Sequence, residues 1–156
     1  MSAAVHILSA CVGLGWGGLC IADTSVGYIA LTPGQWESLS SIEVVEISNG
    51  EPETVFSPDV DVREQCVKPE NTALLPINLA GPGCEVISST NNGTELQVEL
   101  TCRRTDGDYQ GWLRADAGET GLSAVAQLEL TRIRADGSQR IVRAEMSSRR
   151  SGPCLE

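Results

Sequence analysis

The run Glu95-Leu96-Gln97-Val98-Glu99-Leu100-Thr101-Cys102 alternates polar and apolar residues without a break. In an extended chain successive side chains point to opposite faces, so Leu96, Val98, Leu100 and Cys102 share one face and Glu95, Gln97 and Glu99 the other. One dry face and one wet face is the pattern of an antiparallel sheet buried on a single side. The same period returns twice downstream. Leu122, Ala124, Ala126, Leu128 and Leu130 alternate with Gln127 and Glu129, and Val142, Ala144 and Met146 alternate with Arg143 and Glu145. The turn signals match this spacing. Asn49-Gly50, Asn92-Gly93, Asp106-Gly107 and Asp136-Gly137 tolerate the positive φ that tight hairpins demand.

Strands are therefore predicted over 35–47, 53–66, 84–90, 95–103, 108–115, 121–133 and 139–150. A short helix fits only after Cys66, where Pro69 suits a first helical turn and the segment runs on to Pro76. Residues 79–83 then read as a loop. The expected fold is all-β, an antiparallel meander that forms a curved sheet or closes into a small barrel around one core. A chain of 156 residues suits one such domain.

Residues 1–22 carry no Asp, Glu, Lys or Arg and are almost wholly apolar or small from Val5 onward. They read as a secretory signal peptide, with Cys20-Ile21-Ala22 as the cleavage site before Asp23. Two alternatives stand beside it. Leu8-Ser9-Ala10-Cys11 matches a lipobox in which Cys11 would be acylated, and the same run would be a marginal membrane anchor. Residues 23–32 read as a short linker and 33–156 as a single β-domain. The match of Gly13-Leu14-Gly15-Trp16-Gly17-Gly18 to a dinucleotide fingerprint lacks the strand and helix that give it meaning, so no cofactor is expected.

Removal of the leader takes away His6, Cys11 and Cys20 and leaves Cys66, Cys84, Cys102 and Cys154. Their spacings of 18, 18 and 52 residues do not supply the close pairs of a structural zinc site, so two disulfides are expected. Cys84 and Cys102 flank one hairpin and are candidate cross-strand partners. A strict two-residue loop at Asn92-Gly93 would set Cys84 opposite Thr101, so their direct opposition requires a three-residue loop or a bulge. Cys66 then pairs with Cys154. Charge is distributed unevenly. From Asp23 to Val62 there are eight acidic residues and no basic one, whereas Arg132 to Arg150 holds six arginines. The sharper of two readings places the last strand beside an early one, with Glu facing Arg; the other is two solvated surfaces.

The formal charge of −10 lacks the basic footprint of a nucleic-acid binder. Without His6 no His-dependent triad or metal site remains, and no G-x-S-x-G elbow occurs. The chain is expected not to be an enzyme; a carboxylate-based hydrolase is the distant alternative. Asp59-Val60-Asp61 and Asp106-Gly107-Asp108 are carboxylate pairs without calcium-loop spacing. Trp36, Tyr109 and Trp112 are candidates for a ligand groove, against the plainer reading of core or rim packing with a satisfied polar tip.

Pro33-Gly34-Gln35-Trp36-Glu37, Cys66-Val67-Lys68-Pro69-Glu70, Tyr109-Gln110-Gly111, the two central cysteines and the closing Gly152-Pro153-Cys154 form an ordered set. The chain resembles, over about 33–154, the domain-of-unknown-function family 3617 of small exported bacterial proteins. It departs from that family's Met-rich loop, since Val45 to Gln65 holds no Met. The resemblance implies a periplasmic or envelope location and carries over no activity. Expected partners are an envelope protein or a small apolar ligand held in a lipocalin-like cavity near Ala124 and Ala126. A membrane enters only through lipidation at Cys11.

Overall fold

The computed structural model describes residues 27–57 and 60–154. The predicted leader, with Cys11, Cys20 and the glycine run between them, and Asp59 lie outside the described residues. Strands β1 (Ile29–Ala30), β2 (Gly34–Ser48), β3 (Glu51–Phe56), β4 (Asp61–Val67) and β5 (Ala73–Leu74) precede a five-residue helix, α1 (Pro76–Ala80). Strands β6 (Cys84–Asn91), β7 (Glu95–Arg104), β8 (Gly107–Ala117), β9 (Ser123–Ile133) and β10 (Gln139–Gly152) follow. The all-β antiparallel prediction holds, and the sheet is open rather than a barrel.

β6 to β10 form the meander, and β2 joins it beside β10, in the order β3-β2-β10-β9-β8-β7-β6. β4 also pairs with β2. β2 is long enough to hold β3 along Val44–Ser48 and β4 along Gly34–Ser40 on the same edge. The single strand expected over 53–66 is thus two strands, Glu51–Phe56 and Asp61–Val67. All four Asn-Gly and Asp-Gly dipeptides lie at connections between paired strands. At the first, Asn49 and Gly50 both have positive φ, 55° and 82°, as a type I′ turn requires.

The charge asymmetry is strand order. β10 runs antiparallel to β2 from Gln139 opposite Ile47 to Arg149 opposite Glu37. Arg149 meets Glu37 at 3.2 Å, Arg143 meets Glu43 at 3.5 Å, and Glu46 takes Arg134 at 2.7 Å and Arg140 at 3.3 Å. Exposed pairs of this kind add a few tenths of a kcal/mol each and act mainly on register.

Two expectations are corrected. The helix predicted from Pro69 to Pro76 is only a 3-10 turn, Pro69–Asn71; the true helix starts at Pro76 and takes in residues read as loop. A proline suits the first helical position because no intrahelical bond needs its missing N–H, so Pro76 opens this helix rather than closing one. The second correction is the linker. Ile29–Ala30 pairs with Ala73–Leu74, the Leu31 amide donates to Thr72 O at 2.8 Å, and Ile29 is wholly buried. This small two-stranded sheet and α1 cover the inner face of the meander. Ile29 and Ala80 share one core with Leu96, Val98, Leu100, Cys102, Tyr109, Leu113, Ala115, Ala126 and Leu130. The dry face read from the alternation at 95–102 is the floor of that core.

Both disulfides form as expected. Cys84 faces Cys102 with Cα atoms 3.9 Å apart, and a bulge between Val86 and Ser88 supplies the required shift. The turn itself sits one residue later than expected: Asn92 N–H donates to Glu95 O, which puts Gly93 and Thr94 at the tip. Without the bulge that turn would carry Cys84 past Cys102 toward Arg103. Cys66 and Cys154, with Cα atoms 5.4 Å apart, tie together the two neighbours of β2, since Gln35 pairs with Cys66 on one side and Gly152 on the other.

Candidate functional site

The outer face of the sheet is built from the residues that alternate with the core. Pairing across strands aligns them in rows. One row runs Val62, Leu39, Ser147, Val125, Asp116, Glu95 from β4 to β7. The next runs Ser41, Glu145, Gln127, Arg114, Gln97, Thr90 from β2 to β6. The third runs Glu43, Arg143, Glu129, Trp112, Glu99, Ser88. A groove of about 560 Å³ opens over the first two rows, with Val60 at its side. A second, of about 340 Å³, opens around Trp112 and Glu99.

Arg114 borders both grooves. Its Cζ lies 6.0 Å from the Trp112 ring centroid, at the outer reach of a cation–π contact, so the guanidinium leans toward the third row. Glu145 accepts a long 3.5 Å hydrogen bond from Gln127 Nε2. In the third row one cation serves two carboxylates: Arg143 Nε donates to Glu129 at 2.9 Å with Glu43 on its other side, and these carboxylates raise its pKa, the Glu129 hydrogen bond most. The first row ends in Asp116 and Glu95, neither in an ion pair among the described residues.

The three aromatic groove candidates are not brought together. Trp36, 2% exposed, packs with Val67 and Ala124 in a small cluster of its own, and its Nε1–H donates to Thr32 O at 3.0 Å. Tyr109 lies in the main core and its hydroxyl donates to Asp106 Oδ2 at 2.7 Å. Only Trp112, 40% exposed, faces the outer side and lines a groove. Residues 109 and 112 differ by an odd number, so one strand sends them to opposite faces. Packing with a satisfied polar tip is therefore the reading that fits Trp36 and Tyr109.

Of the two small residues of β9 beside which a cavity was expected, Ala124 has that space taken by Trp36, and Ala126 packs in the main core and also borders the groove of about 560 Å³. Small side chains here admit a neighbouring aromatic and a close core rather than a ligand. One member of each carboxylate pair is engaged within the fold: Asp61 binds Arg63 Nε at 2.6 Å, and Asp106 takes Tyr109 and, at 3.4 Å, Arg132. Among the described residues no three metal-ligating side chains gather to hold an ion.

Leu39, Val125, Asp116 and Glu145 were not among the residues singled out from sequence. A signal for two of them exists. Leu39 stands an odd number of residues from Trp36, and Val125 lies between Ala124 and Ala126, so alternation sets both opposite those buried side chains, and each is about half-exposed. No curated protein and no solved structure matches this chain. The family model described as "Protein of unknown function (DUF3617)" matches residues 31–154, a span that begins just after β1 and holds all four disulfide cysteines. By that match the chain belongs to the DUF3617 family.

Proposed function

We propose that this protein is a non-catalytic binding module of the bacterial envelope, exported by its leader and engaging a partner protein through the outer face of its sheet. The observation that carries this reading is the groove of about 560 Å³ floored by Leu39 and Val125, two exposed aliphatic side chains edged by Asp116, Gln127 and Glu145. Clusters of exposed apolar surface rimmed by polar groups mark contact sites more often than chance exposure does. The filled space beside Ala124 favours an outer-face partner over a ligand held inside the sheet. Two disulfides support an oxidising destination.

Site-specific photo-crosslinking in the periplasm tests this. A photoreactive residue at Val125 or Leu39 is expected to trap a discrete partner, while one at Ile133, exposed at the far end of β9, is not. Equal capture from Ile133, or none from both groove positions, would sink the proposal.

A further inference from the structure

The outer face is graded in polarity along its first row, and the groove covers the middle of that row, from Leu39 to Asp116. Val62 and Leu39 lie at one end, Val125 in the middle, and Asp116 and Glu95 at the other end, with Glu145 in the adjoining row. No ion pair among the described residues neutralises Asp116, Glu95 or Glu145. The nearest cation in the rows, Arg114, leans toward Trp112. Glu37 and Asp61, by contrast, are held by Arg149 and Arg63. An aliphatic floor that runs into uncompensated carboxylates is complementary to an aliphatic ligand that runs into positive charge.

The row sets a length as well. It crosses six strands, and at about 4.8 Å per strand spacing it spans roughly 24 Å, the reach of about seven extended residues. Resting on the binding-module reading above, we infer that the groove, together with the two ends of its row, accepts an extended peptide segment of a partner protein. Its aliphatic residues lie on Val62, Leu39 and Val125, and its Lys or Arg residues lie at Asp116, Glu95 and Glu145.

The test uses the exported, disulfide-bonded protein and two labelled heptapeptides, read by fluorescence anisotropy. One has three leucines, a serine and three lysines; the other replaces the lysines by glutamates. The lysine peptide should bind at least about tenfold more tightly than the glutamate peptide, a difference near 1.4 kcal/mol. Raising salt from about 0.02 to 0.5 M should weaken it. The double variant Asp116→Asn/Glu145→Gln should lose most of that preference, and Val125→Ser should weaken binding with the preference kept. Glu51→Gln/Glu53→Gln, which changes net charge equally at a distant hairpin, should bind as the wild type does.

Equal binding of the two peptides, no binding of the lysine peptide, or wild-type binding by either groove variant would overturn the inference. So would self-association through this face in sedimentation. A partner trapped at Val125 together with no lysine-peptide binding would remove the cationic class while leaving the binding module standing.

Discussion

Tyr109 Oη donates to Asp106 Oδ2 at 2.7 Å from within the core, and the pair links packing to titration. The hydrogen bond from Tyr109 is the main cause that lowers the Asp106 pKa, with Arg132 adding attraction. Burial first, then the bond to Asp106, raises the pKa of Tyr109. A depressed carboxyl contributes stability that is present above about pH 4 and is lost as pH falls through its folded pKa. A raised phenol contributes stability that is present below about pH 10 and is lost as pH rises through its folded pKa. Tyr109→Phe should therefore cost about 1 kcal/mol at neutral pH and flatten both limbs of the stability profile, as read by urea midpoints across pH. Gly111 is a second sensitive residue. A Cβ there would overlap the Glu129 carbonyl of β9, so Gly111→Ala should destabilise by about 1–3 kcal/mol, measurable by the same unfolding curves. Its place inside a predicted strand sets this glycine apart from those in turns, but which backbone approaches it is decided by strand order.

At the scale of elements, the hairpins were legible and the partners of their ends were less so. Asn-Gly and Asp-Gly announce a turn because few residues tolerate its backbone angles, and a two-residue period announces a strand because side chains alternate. Strand breaks and short helices carry weaker signals. The 53–66 segment reads as one strand until the edge of β2 divides it between β3 and β4. The pairing of β10 with β2 was readable through charge, since Arg149 and Arg143 face Glu37 and Glu43. Glu46 is the best-buried acid of that ladder and serves both Arg134 and Arg140. Glu46→Gln should lower stability by about 0.5–1 kcal/mol, with the loss diminished in high salt, as measured by thermal melts at two ionic strengths. The disulfides make a larger contribution. In the chain-entropy account, closing the loop between Cys84 and Cys102 is worth about 3 kcal/mol and that between Cys66 and Cys154 about 4.5 kcal/mol. Paired Cys→Ser variants should reproduce that order in denaturant unfolding.

For the molecule as a whole, the segment before Pro33 is the most informative place to intervene. Ile29 is wholly buried and β1 bridges to β5, so this stretch belongs to the lid over the core. A chain beginning at Pro33 should be less stable than one beginning at Asp23 by at least about 2 kcal/mol, the worth of one buried Ile with its neighbours. Differential scanning calorimetry of the two would check it. The sequence by itself determined the antiparallel class, the turn sites, the four cysteines and the charge pairing, because each rests on local backbone chemistry or on a period of two. The groove was decided by tertiary structure alone. Leu39, Val125, Asp116 and Glu145 come from four different strands. Their adjacency depends on strand order and register, and long-range pairing fixes both. The same pairing put Trp36 and Tyr109 in the interior and left Trp112 outside, a division that alternation shows within one strand but cannot show between strands.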